Sequence, residues 1–258
     1  MKVVIENVSK KYSDRHGKEL LALSDISLTL HEEEFVVLLG PSGCGKSTLL
    51  NMVAGILSSS SGRIYFDELT EDKDPRVAMV FQDAGLFPWR SVYKNIAFGL
   101  EEMKLDKNEV HQRVCEYTKM VGLAGFEKCY PHQLSGGMRQ RVGIARALSI
   151  KPDLLMMDEP FSALDAQTRT LMQEELLKIW TQTRLTTLYV THNIQEAVYL
   201  ADRIVVLSRR PGKITSEIKV EISKFERDND KHLESFNGYV DKIWHLIRKD
   251  AEDALLEV

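Results

Sequence analysis

Eight residues constrain this chain more than any others. Gly40-Pro41-Ser42-Gly43-Cys44-Gly45-Lys46-Ser47 follow directly on the apolar run Phe35-Val36-Val37-Leu38-Leu39. The spacing is G-x-x-x-x-G-K-[ST], read as a strand that enters a tight glycine turn and leaves it as a helix through Thr48-Leu49-Leu50-Asn51-Met52. Glycines let the backbone curl until successive N–H groups point inward, and the helix start adds its positive dipole end. Such a turn suits phosphate oxygens. The pattern predicts residues Gly40 to Thr48 as a nucleotide cradle, with Lys46 reaching the β- and γ-phosphates and the Ser47 hydroxyl ligating Mg²⁺. Without its flanking strand and helix the same stretch is a glycine-rich turn with an incidental Lys-Ser.

An acidic strand end supplies complementary chemistry. Leu154-Leu155-Met156-Met157 is a continuous apolar run that closes on Asp158-Glu159. Carboxylates are thereby placed at the C-terminal edge of a sheet, where ligands of open α/β sheets bind. Asp158 is expected to hold Mg²⁺, directly or through water, and Glu159 to lie just beyond it near an attacking water. Alone, the pair reads equally as two acids in a loop.

Short apolar runs alternate with longer helical patterns. Val77-Ala78-Met79-Val80-Phe81, residues 153–157, 187–190 and 204–207 are short, β-rich or continuous apolar runs, as in a parallel sheet covered on both faces by crossover helices. Residues near 2–8, 20–30 and 61–66 alternate, which predicts an antiparallel sheet on the N-terminal side. From about 86 to 150 the periodicity is helical, and a helical subdomain inserted into the α/β core is expected. The domain so bounded spans 1–222. Residues 223–258 follow as a charged linker containing KFERDNDKHLE and an amphipathic helix. Phe236, Tyr239, Val240, Ile243, Leu246, Ile247, Ala254 and Leu255 recur in that helix at helical spacing. Its apolar face is expected to pack on its own domain rather than on a partner.

Composition weighs against several function classes. A chain of 258 residues can bury a sizeable core, and 43% hydrophobic with 28% charged residues is ordinary for a globular protein. The net charge of -4 gives no general attraction to a nucleic-acid backbone, so no nucleic-acid partner is expected. Cys44, Cys115 and Cys129 are odd in number and in no metal-like spacing, which fits free thiols in a reducing compartment. The start, Met1-Lys2-Val3-Val4-Ile5-Glu6-Asn7, meets charge too soon for a signal peptide. No stretch approaches the roughly 20 apolar residues of a membrane span, so a membrane role is expected to be exercised from outside the lipid.

The discriminating segment lies upstream of the acidic strand: Leu134-Ser135-Gly136-Gly137-Met138-Arg139-Gln140-Arg141. Physically, Ser135-Gly136-Gly137 is a helix N-cap whose hydroxyl and bare N–H groups make an anion site. With this segment the chain resembles the ABC ATPase family over about residues 1–215, and further motifs stand in that family's order. Tyr12 takes the place of an aromatic implied to stack on adenine, a residue that could otherwise be a core or edge aromatic. Gln82 matches the glutamine implied to sense Mg²⁺ and report to a membrane partner. Ser162-Ala163-Leu164-Asp165 matches the loop that crosses the dimer interface. His192, after Tyr189-Val190-Thr191, matches the switch histidine. Met138 stands where many members carry glutamine, and a thioether cannot offer the amide's hydrogen bonds.

The resemblance implies a P-loop NTPase core with a mainly parallel sheet, beside the N-terminal antiparallel β-subdomain and the inserted α-helical subdomain. It implies a homodimer that sandwiches two ATP molecules, each between one chain's phosphate loop and the Ser135-Gly136-Gly137 segment of the other. Glu159 would polarise or deprotonate the water, and His192 would hold γ-phosphate and water in register. A lone cassette without fused membrane spans fits a bacterial importer, peripheral on the cytoplasmic face of the cell membrane. Its partners would be membrane permease subunits and a solute-binding protein. The segments Gln82–Trp89, Asn95–Leu100 and Arg209–Ile214 look like the nitrate, sulfonate and taurine importer branch, which implies a small anionic or related solute. The aromatics around Trp89 are either a coupling surface for the permease or a satellite cluster under a loop. The rival function is a non-transport ABC ATPase that signals to a soluble partner through ATP-driven dimerisation.

Cys44 carries one more expectation. Beside Lys46 and a helix start, its thiol is expected to react first with alkylating reagents and so block the phosphate site. A loop that buries the sulfur would leave it inert.

Overall fold

The five apolar residues Phe35–Leu39 are all buried, as a strand covered on both faces requires. The computed structural model of the chain describes residues 1–13, 17, 19–67, 74–224, 227 and 232–256. Among them the elements begin with β1 (Lys2–Ser13), β2 (Glu19–Leu30), β3 (Phe35–Leu39), α1 (Lys46–Val53), β4 (Ser61–Asp67) and β5 (Val77–Val80). They continue with α2 (Val92–Glu101), α3 (Lys107–Met120), α4 (Gly136–Ser149), β6 (Leu154–Asp158) and α5 (Ala166–Thr183). β7 (Thr186–Thr191), α6 (Ile194–Leu200), β8 (Arg203–Leu207), β9 (Ile214–Lys219) and α7 (Leu233–Leu256) complete the order. These elements fall into two units, Met1–Lys73 with Thr186–Val258, and Asp74–Leu185.

In the first unit β1 pairs antiparallel with β2 on one side and β4 on the other. Val3, Ile5 and Val8 of β1 are buried, the alternation that a one-sided antiparallel sheet produces. In a second group of strands, β3 runs parallel to both β7 and β8. Leu39 is the register partner of Thr191 and of Val206, so β3 and β7 end level and β8 ends one residue further on. Whatever follows each of them emerges at one edge: Gly40 after β3, His192 after β7, and the turn at Ser208 after β8.

β9 pairs antiparallel with β8 and was absent from the expected strands. Only Ile214 and Ile218 in it are apolar, too few to announce a strand, and it is the edge of β8 that makes it one. Further along, α7 packs on α6 with Ile243 fully buried and Phe236, Tyr239, Val240, Leu246 and Ile247 half-buried. Arg227 donates to the carbonyls of Val198, Tyr199 and Ala201 at the end of α6 and to that of Ile222. Of the expected linker, residues 225–226 and 228–231 lie outside the described residues, as do the side chains of Ala254 and Leu255.

In the second unit β5 and β6 are parallel, with Val80 opposite Met157. Phe81-Gln82 and Asp158-Glu159 therefore leave their strands side by side. α2, α3 and α4 pack on one another, and α4 also packs on β5. Ser91, Asp106, Ser135 and Asp165 each accept a hydrogen bond from a first-turn N–H of the following helix, which is why those helices start where they do.

Candidate functional site

The expected nucleotide cradle, residues 40–48, runs from the end of β3 into α1. Gly43 and Gly45 take φ of 79° and 106°, a region that side chains rarely tolerate, and a Cβ on Gly45 would also come within 2.6 Å of Leu23 Cδ2. The Cys44 N–H donates to the Pro41 carbonyl at 3.3 Å. Lys46 is buried, and its Nζ donates to the carbonyls of Gly40 at 2.8 Å and Pro41 at 3.1 Å. Its ammonium is thereby held inside the turn it serves. Among the described residues no side chain caps α1, which leaves its dipole end to the loop. Ser42 and Ser47 are exposed, and Thr48 is half-buried.

Tyr12 flanks this loop. Its hydroxyl lies 3.4 Å from Thr48 Oγ1, and the ring is 40% exposed with Lys10 Nζ 5.3 Å from its centroid. A core role for Tyr12 is thus removed. His192 is exposed on the turn between β7 and α6, and the residues around it are braced. Buried Glu196 accepts from the hydroxyls of Tyr189, at 2.9 Å, and Thr191. The Thr191 hydroxyl in turn accepts from the Asn193 N–H at 3.0 Å, and Asn193 caps α6 by accepting from the Glu196 N–H at 3.1 Å. Sequence reasoning passed over Glu196. Asn193 followed three residues later by a glutamate just inside a helix was the available signal.

The second unit carries Asp158, Glu159 and the helix that follows Ser135. Asp158, half-buried, ends β6. Glu159 takes a left-handed φ of 45°, unusual for a residue with a side chain and frequent where geometry serves a reaction. Its carbonyl accepts from the Ser162 N–H and hydroxyl at 3.2 and 2.9 Å. Exposed Gln82 shares a cavity of about 350 Å³ with Asp83, Gly136, Arg139, Pro160 and Leu164. That cavity brings together the glutamine segment, the start of α4 and the stretch that follows Glu159. Ser135 caps α4 by accepting the Met138 N–H at 3.2 Å, Gly136 and Gly137 form the first turn, and Met138 is half-buried. Asp165 caps α5 by accepting the Thr168 N–H at 3.0 Å, a bond that holds its carboxyl below the usual range.

Beyond Gln82 the chain is organised by two residues that carried no role in the sequence reading. Asn95 is fully buried, and its amide binds the carbonyls of Phe87, Arg90 and Ser91 while its oxygen accepts the Phe87 N–H. Arg146 donates to the carbonyls of Ala84 and Gly85, each at 2.8 Å, and burial lowers its pKa. The segment so fixed presents Phe87, Trp89 and Phe98, with Phe87 centroids 5.7 Å from Trp89 and 4.6 Å from Phe98, and Arg90 over the rings of Phe87 and Phe98.

One expectation is corrected. Cys44 is only 1% exposed, whereas Cys115 is exposed and Cys129 intermediate. Its sulfur packs back toward Gly40 and its backbone toward Gly212, so access, which a reactive thiol needs, is missing. Among the described residues no helix is long and apolar enough to cross a membrane.

The chain matches known proteins along most of its length. The family model for the ABC transporter matches residues 23–162. The aliphatic sulfonates import ATP-binding protein of Bacillus cereus is 44% identical over 244 residues, 94% of this chain and 94% of that protein. The taurine import ATP-binding protein of Yersinia pestis is 46% identical over 219 residues, 84% of this chain and 85% of that protein. Among solved structures, a dimeric post-hydrolysis ATP-binding cassette bound to ADP and Pi matches with a TM-score of 0.74 at 32% identity, covering 86% of this chain and 100% of the other. The fold is that of a P-loop NTPase with an N-terminal antiparallel sheet, and the chain belongs to the ABC transporter family as an ATP-binding cassette with ATPase activity.

Proposed function

We propose that this chain is the ATP-hydrolysing subunit of an importer for sulfonate-type anions, working as a pair of cassettes against permease subunits on the cytoplasmic face of the membrane. The observation that carries the reading is the level ending of β3 and β7. Leu39 opposite Thr191 brings the phosphate loop and His192 out of the sheet at one edge, as phosphoryl transfer from a bound triphosphate needs. The names of the sulfonate and taurine relatives support the solute class, and the dimeric cassette supports the pairing.

In this reading residues 40–48 and Tyr12 bind ATP. Phosphoryl transfer asks chiefly for positioning and charge stabilisation. Glu159 polarises or deprotonates the attacking water, while His192 steadies the γ-phosphate. Ser135, Gly136 and Gly137 serve the ATP of the partner cassette, and the Asp165 loop lies at the interface between the two. From the family resemblance, the Ser47 hydroxyl, the Asp158 carboxylate and the Gln82 amide oxygen would hold Mg²⁺, and each is a hard oxygen donor. Such a set fits Mg²⁺, which keeps much of its shell for phosphate and water. Bound there, the ion would neutralise phosphate charge. The aromatic segment at Phe87–Trp89 receives the permease, and a solute-binding protein delivers the anion on the far side.

Co-expression with the permease subunits and reconstitution into liposomes test the proposal. Uptake of a labelled sulfonate and ATP hydrolysis are expected to rise together when the solute-binding protein is added. An active ATPase that never copurifies with a permease from detergent-solubilised membranes would overturn the importer reading and favour a soluble signalling partner.

A further inference from the structure

The turn Ser208-Arg209-Arg210-Pro211-Gly212-Lys213 has no part in the reaction as described. It leaves β8 beside the phosphate loop, because Leu39 and Val206 are level in the sheet. The turn is closed on itself: the Ser208 N–H donates to the Lys213 carbonyl and the Lys213 N–H to the Ser208 hydroxyl, each at 2.9 Å. From this base two residues reach the phosphate loop at consecutive positions. Arg210 donates from Nε and Nη2 to the Gly43 carbonyl at 3.2 and 3.1 Å. Gly212 sits against Cys44 so closely that a Cβ there would overlap the Cys44 carbonyl oxygen and come within 3.0 Å of Leu23 Cδ2.

Gly212 is itself fixed to the neighbouring strand. Its N–H donates to the Ala22 carbonyl at 2.9 Å, and its carbonyl accepts from the Ser24 N–H at 3.0 Å. Leu23, between those two anchors, is the residue against which Gly45 packs. The phosphate loop is therefore backed from outside by β2, Gly212 and Arg210 together.

An anion cradle turns N–H groups inward and so turns carbonyls outward. Each outward carbonyl is the negative end of a peptide that must not swing toward the phosphates. Gly43 and Gly45, both left-handed, are the loop residues with the most backbone freedom to lose. A guanidinium on the outer side of Gly43 fixes the orientation of that peptide, and a residue without a side chain at 212 lets the backstop touch the loop.

We propose that Arg210 and Gly212 are positioning residues for nucleotide binding, holding the phosphate loop in its anion-binding shape from behind. The inference rests on reading residues 40–48 as the ATP site. Cys44, whose carbonyl lies against Gly212, serves as a reporter of the backstop.

The full-length chain is used for the test, with a fluorescent ATP analogue for affinity and mass spectrometry after timed iodoacetamide treatment for thiol access. Arg210→Ala is expected to weaken nucleotide affinity roughly tenfold, the scale of a partly screened charge-assisted hydrogen bond. Turnover at saturating ATP should stay within about twofold, the signature of lost uniform binding. Arg210→Lys should recover part of the affinity, since one ammonium can still donate to Gly43. In Arg210→Ala and Gly212→Ala alike, Cys44 should be alkylated faster than in the native chain while half-buried Cys129 keeps its rate. General loosening of the fold would speed half-buried Cys129 along with Cys44 and lower Tm, and that result would overturn the proposal. So would native affinity and a protected Cys44 in both variants. If the native chain bound no nucleotide, the reading of residues 40–48 would fail, and the thiol rates would still judge the backstop separately.

Discussion

The Gln140 amide donates to the Phe81 carbonyl over 3.1 Å, tying the helix that starts at Ser135 to the backbone one residue before Gln82. Gln140 is buried, so its amide is committed to this bond rather than to water. Gln140→Leu keeps the bulk and removes the tie. One hydrogen bond is worth about 1 kcal/mol, so Tm should fall by roughly 2–4 °C for a chain of this size. Nucleotide affinity measured without Mg²⁺ should not change, because the residues that bind ATP itself in the proposed reading, Tyr12 and 40–48, belong to the other unit. Turnover in the assembled transporter should fall, since the tie between α4 and the segment that carries Gln82 is lost. Differential scanning and equilibrium nucleotide binding check this, and a loss of affinity would show that the tie serves something else.

Glu159 offers the sharpest test of the chemistry. Glu159→Gln keeps the size of the side chain and loses its basicity. Phosphate release should drop by at least about a hundredfold, the lower end of what a general base contributes, while ATP binding stays intact. ATP with Mg²⁺ should then shift the variant from monomer to dimer in size-exclusion chromatography, because the sandwich forms and cannot reopen by hydrolysis. Near-normal phosphate release would remove Glu159 from the mechanism.

The parts of the fold legible in the sequence are those that one short stretch specifies. Phe35–Leu39 and Leu154–Met157 are continuous apolar runs, and each is followed at once by the residues that matter, Gly40 and Asp158. The residues that escaped notice act across distance. Arg146 matters because it meets the carbonyls of Ala84 and Gly85, and nothing local to Arg146 says so. Cys44 looked reactive because its sequence neighbours are Lys46 and a helix start. Its sulfur packs toward Gly40, and its carbonyl lies against Gly212, far along the chain. β9 exists through its pairing with β8, not through its own two isoleucines.

Stability in acid should depend on Glu34. Burial alone pushes its carboxyl up, but hydrogen bonds from Arg203 and the His31 N–H more than offset this and leave it below the ordinary 4.5. The Arg203 guanidinium grips both oxygens, at 2.8 and 2.9 Å. A carboxyl depressed in the folded state adds stability that is full above its unfolded pKa and vanishes as pH falls through the folded one. At pH 7, Glu34→Gln should therefore cost on the order of 1 kcal/mol after screening. The variant and native urea midpoints should converge as the pH drops well below 4.5. Parallel curves across that range would mean that Glu34 contributes packing rather than charge.

Trp89 separates motor from coupling. It is 72% exposed and stands beside half-buried Phe87, with Arg90 and Arg146 over the Phe87 ring. Large aromatics left in water and rimmed by arginines are the composition of an interface centre. The turn that carries them is held from below by Asn95, so truncating Trp89 leaves its support untouched. Trp89→Ala should keep ATP affinity and the basal ATPase of the isolated chain within about twofold. Copurification with the permease should weaken by roughly tenfold or more, the usual effect of removing an aromatic anchor. Pull-down from detergent-solubilised membranes, run beside an ATPase assay on the same preparation, reads both. If the variant instead loses ATP binding while permease capture is unchanged, Trp89 belongs to the nucleotide machinery and the docking surface lies elsewhere.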